Sequence, residues 1–161
     1  MAVSSTKDRI VYPLEKWVIN PLVMIAWRLG IPPPGDALLE TVGRRSGLPR
    51  HTPVCDGLDG GSFWLVAQRG LRAGWVKNIR ANPHVRVKVR TTSGVTWRDG
   101  TARILPRDDP RARQRRVCET SLSRRLCVSA SATMATDPLT VRVKLDGRRA
   151  WRRRHRRNVA A

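Results

Sequence analysis

Strict alternation is the clearest pattern in the chain. In VRVKVR, residues 85–90, Val85, Val87 and Val89 fall on one side of an extended backbone and Arg86, Lys88 and Arg90 on the other. LTVRVKL, residues 139–145, repeats the alternation. Both predict strands with one buried and one solvated face. Shorter apolar runs predict strands at Ala37–Val42, His51–Cys55 and Ser62–Ala67. A longer one is expected at Val95–Leu105, bulged at Asp99-Gly100. Helical signals are fewer. Pro21 opens and Gly30 closes an apolar helix whose greasy face carries Trp17 and Trp27. A short helix, Trp75–Ala81, ends at Asn82-Pro83. Asp109 can cap another, with Pro110 in its first position. The pattern predicts a mainly β chain with helices (α+β): a mostly antiparallel barrel of about six strands, an N-terminal helix and two or three others.

Punctuation divides the chain into three. IPPPGD cannot continue a helix, so residues 1–34 read as an apolar helix and a proline-rich spacer. Residues 35–147 form the barrel, and 148–161 an arginine-rich tail expected to be disordered. Glu15, Lys16, Asn20 and Pro21 interrupt the N-terminal apolar stretch too often for a membrane span, and no signal-peptide cleavage pattern is visible. A cytoplasmic protein is expected, with the tail and first helix able to touch acidic lipid at the inner membrane face.

Charge sharpens the picture. The formal net charge is +20. Seven of the 32 basic residues lie in the tail, and the remaining 25 still outnumber the 12 acids. Such a field favours anionic partners: nucleic acid, acidic lipid, or a ligand bearing phosphate or carboxylate. The turn GRRSGLPR, Gly43–Arg50, concentrates three arginines between glycines free to take positive φ. On residues alone it reads either as a solvated loop or as an anion cradle. The three cysteines, Cys55, Cys118 and Cys127, show no metal or redox spacing. Three idle thiols in a reducing compartment are expected. His51 is the one histidine beside the basic turn. No GxSxG, HExxH, P-loop or paired-carboxylate signature is present. Hydrolysis, phosphoryl transfer and metal chemistry therefore lack support. What remains is an enzyme whose chemistry sits in a bound cofactor, or a binding protein.

Four segments, in order, carry a resemblance: LLETVGRRSGLPRHTPV, FWLVAQRG, GWVKNIRANPHVRVKV and GTARIL with DDPRAR. Together, over Leu38–Arg113, they resemble the deazaflavin-dependent nitroreductase and quinone-reductase family of actinobacteria, with a weaker echo in TDPLTVRVKLDG. The resemblance implies a split β-barrel like that of flavin-binding proteins. It implies the reduced deazaflavin coenzyme F-420, ahead of flavin mononucleotide, which also carries a phosphate. It implies hydride transfer to a hydrophobic electrophile: a quinone, activated alkene or nitro compound. By position it assigns Arg44, Arg45, Ser46 and Arg50 to the coenzyme's phosphate and glutamate tail; His51 and Thr52, next along the chain, are also expected in the coenzyme site. Val66, Ala67, Gln68 and Arg69 would run along the ring, with Arg69 near the phosphate. Gly74, Trp75, Val76, Lys77 and Asn78 would form a helix start on the coenzyme side. The family often has Ser-Lys where this chain has Gln68-Arg69, and some relatives carry C-terminal tyrosines where this chain has small polar residues. The Trp17–Trp27 face is the candidate apolar wall of the acceptor pocket.

Two other readings stand beside this one. A non-catalytic deazaflavin or flavin carrier would bind without turnover. A basic nucleic-acid-binding protein would use RRAWRRRHRRNV as a nonspecific arm. No catalytic side chain is identified, and the oligomeric state stays open.

Overall fold

The computed structural model describes residues 20–119, 121–132 and 135–146. The expectations for Trp17 and for the arginine-rich tail fall outside them. Four helices and seven strands lie within them: α1 (Asn20–Arg28), β1 (Asp36–Val42), β2 (Pro49–Cys55), β3 (Leu58–Asp59), β4 (Ser62–Ala67), α2 (Gly74–Ala81), β5 (His84–Thr91), β6 (Gly94–Leu105), α3 (Pro110–Cys118), α4 (Leu122–Ala132) and β7 (Leu139–Leu145). No described helix is long and apolar enough to cross a membrane.

The strands form one antiparallel sheet in the order β2-β1-β5-β6-β7-β4-β3. The sequence explains both edges. β2 contains Pro49 and Pro53, which cannot donate to a further strand. β3 is only two residues long, too short to template another. Three strands separate β1 from β4 in the sheet, yet Leu39 of β1 and Phe63 of β4 share one buried cluster with Val85, Val87, Val89, Val141 and Val143. The sheet therefore curls until its inner face closes on itself, and a seam is left between its two ends. The valines expected on the inner face of β5 are all buried. Asp109 caps α3 as expected, its side chain accepting hydrogen bonds from the backbone N–H groups of Arg111 and Ala112.

Several expectations need correction. β6 pairs with β5 in unbroken register through Asp99 and Gly100, and its pairing with β7 starts at Gly100, so there is no bulge. Gly100 serves close approach instead: a Cβ there would lie 2.6 Å from the Lys144 carbonyl oxygen. At the basic turn only Gly47 takes positive φ (68°), while a Cβ on Gly43 would meet Ser46 Oγ at 2.8 Å. β3 falls where no strand was expected, and α4 in the stretch noted only for its small polar residues. The cysteines are not three idle thiols: Cys55 and Cys127 form a disulfide, and Cys118 alone is free among the described residues. Their 72-residue separation hid the pairing, which the curl creates by bringing α4 over the end of β2. Trp27 is buried under the Lys88 ammonium, 5.4 Å from the ring centre, and is not part of the cavity wall described below. From α1 it is Val23 that reaches that wall.

Candidate functional site

A cavity of about 830 Å³ occupies the seam. β2 lines one side and β4 the other, α2 contributes its first turn, and α3 with α4 forms the roof. Of the residues the resemblance assigned, Arg50, His51, Thr52, Val66, Gln68, Arg69, Gly74, Trp75 and Asn78 line it together. Six do not. Ala67 and Val76 are buried in the packing between α2 and β4. Lys77 points to solvent, and Arg44, Arg45 and Ser46 sit on the exposed turn beyond the wall.

The turn is nonetheless built onto the site. Gly43 N–H donates to the Leu48 carbonyl at 2.8 Å, and Gly47 N–H to the Gly43 carbonyl at 2.7 Å. Ser46 Oγ accepts from Leu48 N–H at 3.3 Å, which keeps the loop tight. Asn78, buried at the cavity edge, accepts from the backbone N–H and guanidinium of Arg44 at 3.3 and 3.2 Å. Its other end donates to Thr41 Oγ1 at 3.0 Å. Asn78 is thus a clamp that fixes the basic turn to α2. Arg45 and Arg50 are both exposed, and of the two Arg50 lines the cavity; the planar fork of a guanidinium suits an anion. His51 is turned to another task. Its Nε2 lies 2.8 Å from Glu40 Oε2, in a cross-strand group that includes Arg86 and Trp97.

The far wall combines polarity and charge. Gln68 donates through Nε2 to Ser131 Oγ at 3.3 Å, while its Oε1 is buried without a hydrogen-bond partner. An unsatisfied acceptor there favours a ligand that brings an N–H or O–H. α2 begins after Ala73, which offers no side-chain cap, and no acid occupies its first turn. Its N-terminus therefore leaves positive backbone dipole toward the cavity. Gly74 has open space where a Cβ would stand, so a ligand can approach the main chain there. Arg50, Arg69 and Arg113 line the cavity against a single acid, Asp36.

Sequence reasoning missed Asp36, Trp64, Arg113 and the α4 residues Cys127, Val128 and Ser131, all in the wall. Arg113 stacks over Trp64 at 3.7 Å from the ring centre and pairs with Asp108 at 2.8 Å. That hydrogen-bonded pair holds the Asp108 carboxyl below its ordinary range and the Arg113 guanidinium above its own. Burial pushes the Asp36 carboxyl up to about 6. The DDPRAR motif was visible, but its contact with Trp64 needed the fold. Apolar lining from Val23, Pro33, Val54, Val66, Trp75 and Val117 completes the cavity. Among the described residues no group of three or more His, Cys, Asp or Glu could hold a metal ion.

The pattern of the F420H(2)-dependent quinone reductase family matches residues 25–146. An F420H(2)-dependent quinone reductase of Mycobacterium tuberculosis is 30% identical over 116 residues, 70% of this chain and 74% of that protein. A putative F420H(2)-dependent quinone reductase of Mycobacterium bovis aligns to the same extent. Among solved structures, an F420-H2 dependent reductase is 23% identical, covers 70% of this chain and 94% of its own, and has a TM-score of 0.47. With its family pattern spanning the barrel and its relatives aligned over most of their length, the chain belongs to the F420H(2)-dependent quinone reductase family, a family of oxidoreductases.

Proposed function

We propose that this protein binds coenzyme F-420 in the seam cavity and reduces a hydrophobic quinone-type acceptor there. The observation that carries the reading is the pairing, in one cavity, of an arginine-rich mouth with the unsatisfied Gln68 Oε1 beside the uncapped start of α2. The residues fit the group. A phosphate and a string of carboxylates require forked guanidinium donors, which Arg50 and Arg69 supply in the cavity wall and Arg45 on the exposed turn beyond it. A ring system bearing N–H groups suits the lone acceptor of Gln68, and its flat face suits Trp75, Val66 and the bare backbone at Gly74. When bound, the reduced coenzyme supplies a hydride, so the protein needs no nucleophile of its own.

The chain's residues do the rest. Asn78 holds the basic turn against α2, so the anion site is preorganised. α3 and α4 roof the cavity with Val117 and Val128, which exclude water from the reacting face. The apolar wall of Val23, Pro33, Val54 and Val117 accepts a flat hydrophobic electrophile, with quinones ahead of activated alkenes and nitro compounds.

The test is turnover. Purified protein is mixed anaerobically with reduced coenzyme and menadione, and reoxidation of the deazaflavin is followed by its absorbance. Protein-dependent reoxidation that needs the quinone supports the reading. Tight coenzyme binding without reoxidation by menadione, an enone or a nitroarene would leave a carrier instead.

A further inference from the structure

The cavity wall also holds a pair of groups that hydride transfer does not use. Cys55 ends β2 and Cys127 lies in the middle of α4. Their Cα atoms are 5.9 Å apart, a separation a disulfide spans without backbone movement. Both are half-buried and both line the cavity. Cys127 Sγ stands 3.0 Å from Asp36 Oδ1, and Cys55 Sγ 3.7 Å from Ser131 Oγ. The third thiol is placed differently. Cys118 Sγ faces the Arg124 carbonyl at 3.8 Å outside this cavity, and burial pushes its pKa up despite the pull of Arg125 and Arg124. It is therefore a poor nucleophile.

We propose that Cys55 and Cys127 form a reversible dithiol–disulfide site in the cavity wall, oxidised by small water-soluble disulfides that enter the cavity. Asp36 sets the order of events. In the reduced protein its carboxylate, 3.0 Å from the Cys127 sulfur in the disulfide state, disfavours a second negative charge on Cys127 and keeps it a thiol, so Cys55 attacks first. The Cys55 thiolate bonds to one sulfur of the small disulfide, whose S–S bond breaks and releases one thiolate. Asp36 then takes the Cys127 proton. The Cys127 sulfur bonds to that of Cys55, and the mixed disulfide breaks to release the second small thiolate. Two protein thiols and one small disulfide become one protein disulfide and two small thiols. The burial that raises Asp36 brings it closer to a thiol in proton affinity and makes it the better base.

The bond has a structural consequence. Arg124 pairs with Asp56 at 3.1 Å and fixes the near end of α4 whatever the state of the cysteines. The disulfide adds a covalent tie from the middle of the helix to β2, across the seam. Oxidation thus locks the roof of the cavity, and reduction releases it.

The test uses the full chain without coenzyme, so failure here and failure of the coenzyme reading are distinguishable. Protein reduced with dithiothreitol and desalted is equilibrated with graded ratios of oxidised to reduced glutathione. It is then quenched with iodoacetamide and examined by intact mass and peptide mapping. At oxidising ratios two alkylation sites should vanish together with no glutathione retained, Cys55 and Cys127 should be linked, and Cys118 should still alkylate. Dithiothreitol should restore all three. The Cys118→Ser protein should behave the same way. In Asp36→Asn the Cys55–glutathione adduct should close at least tenfold more slowly. Cys55 and Cys127 alkylating at every ratio, a stable adduct in the wild type, or a bond to Cys118 would each overturn the proposal. An unchanged closure rate in Asp36→Asn would overturn the part given to Asp36.

Discussion

Asn78 is buried, and both ends of its amide are used: Arg44 on one side, Thr41 on the other. Replacing it by alanine strands the Thr41 hydroxyl, itself buried, and unpins the basic turn. Asn78→Ala should cost about 1–3 kcal/mol in urea denaturation, the usual cost of orphaning a buried polar group. It should also weaken coenzyme binding through a mobile turn. Full stability would show that the clamp contributes nothing. Asp36 makes a second residue-scale prediction. Its folded pKa is raised to about 6 by burial, above an ordinary value of about 3.9. A carboxyl shifted upward costs nothing below the lower value, where both states are protonated. It destabilises the fold progressively as pH rises through the upper one. Because the side chain is partly exposed, the effect is discounted to on the order of 1 kcal/mol. Asp36→Asn, with the disulfide intact, should therefore stabilise at pH 8 and do little at pH 4. Equal effects at both pH values would contradict the shift. Arg50, Gln68 and Arg69 were legible as a group that the fold brings to one cavity wall, because their motifs place them. Asp36 was not, since its burial rather than its residue type makes it unusual.

At the scale of elements, β5 and β7 were legible because alternation and burial coincide in them. α4 was not. Its larger apolar side chains, Leu122 and Leu126, are each 74% exposed, so the helix carries no apolar stripe aimed at the core. What it presents to the cavity is Cys127, Val128 and Ser131, small or polar residues that resemble a connection. β3 escaped because two residues give no period. Gly100 was noticed but misread: its glycine serves a close approach between β6 and β7 and not a kink. Gly100→Ala would drive a Cβ to 2.6 Å from the Lys144 carbonyl oxygen. Overpacking of that kind should cost about 1–3 kcal/mol in urea denaturation. A neutral substitution would show that the two strands separate freely there.

At the scale of the molecule, the open seam is the organising feature. A closed barrel of this size fills its interior with side chains. Here the proline-bearing edge β2 and the two-residue edge β3 stop the sheet short, and the gap becomes the cavity. Helices α3 and α4 cover it, and arginines at its mouth give it a sign. Fold class and the charged mouth could be read from the sequence, because strand period and basic turn are local. The roof and the Cys55–Cys127 bond could not, because both depend on residues far apart in the chain meeting across the seam. The family pattern ends at residue 146, so a chain truncated at Gly147 should bind coenzyme with nearly unchanged affinity in a fluorescence titration. A large loss would make the tail part of the site. The central claim is that arginines at the seam hold an anionic deazaflavin. Its most direct test is a fluorescence titration of coenzyme F-420 into the wild type and into the Arg45→Ala/Arg50→Ala double variant. Saturable binding by the wild type is expected, with a loss of more than tenfold in the variant, at least ~1.4 kcal/mol. Equal affinity in the two proteins, or no binding by the wild type, would contradict it.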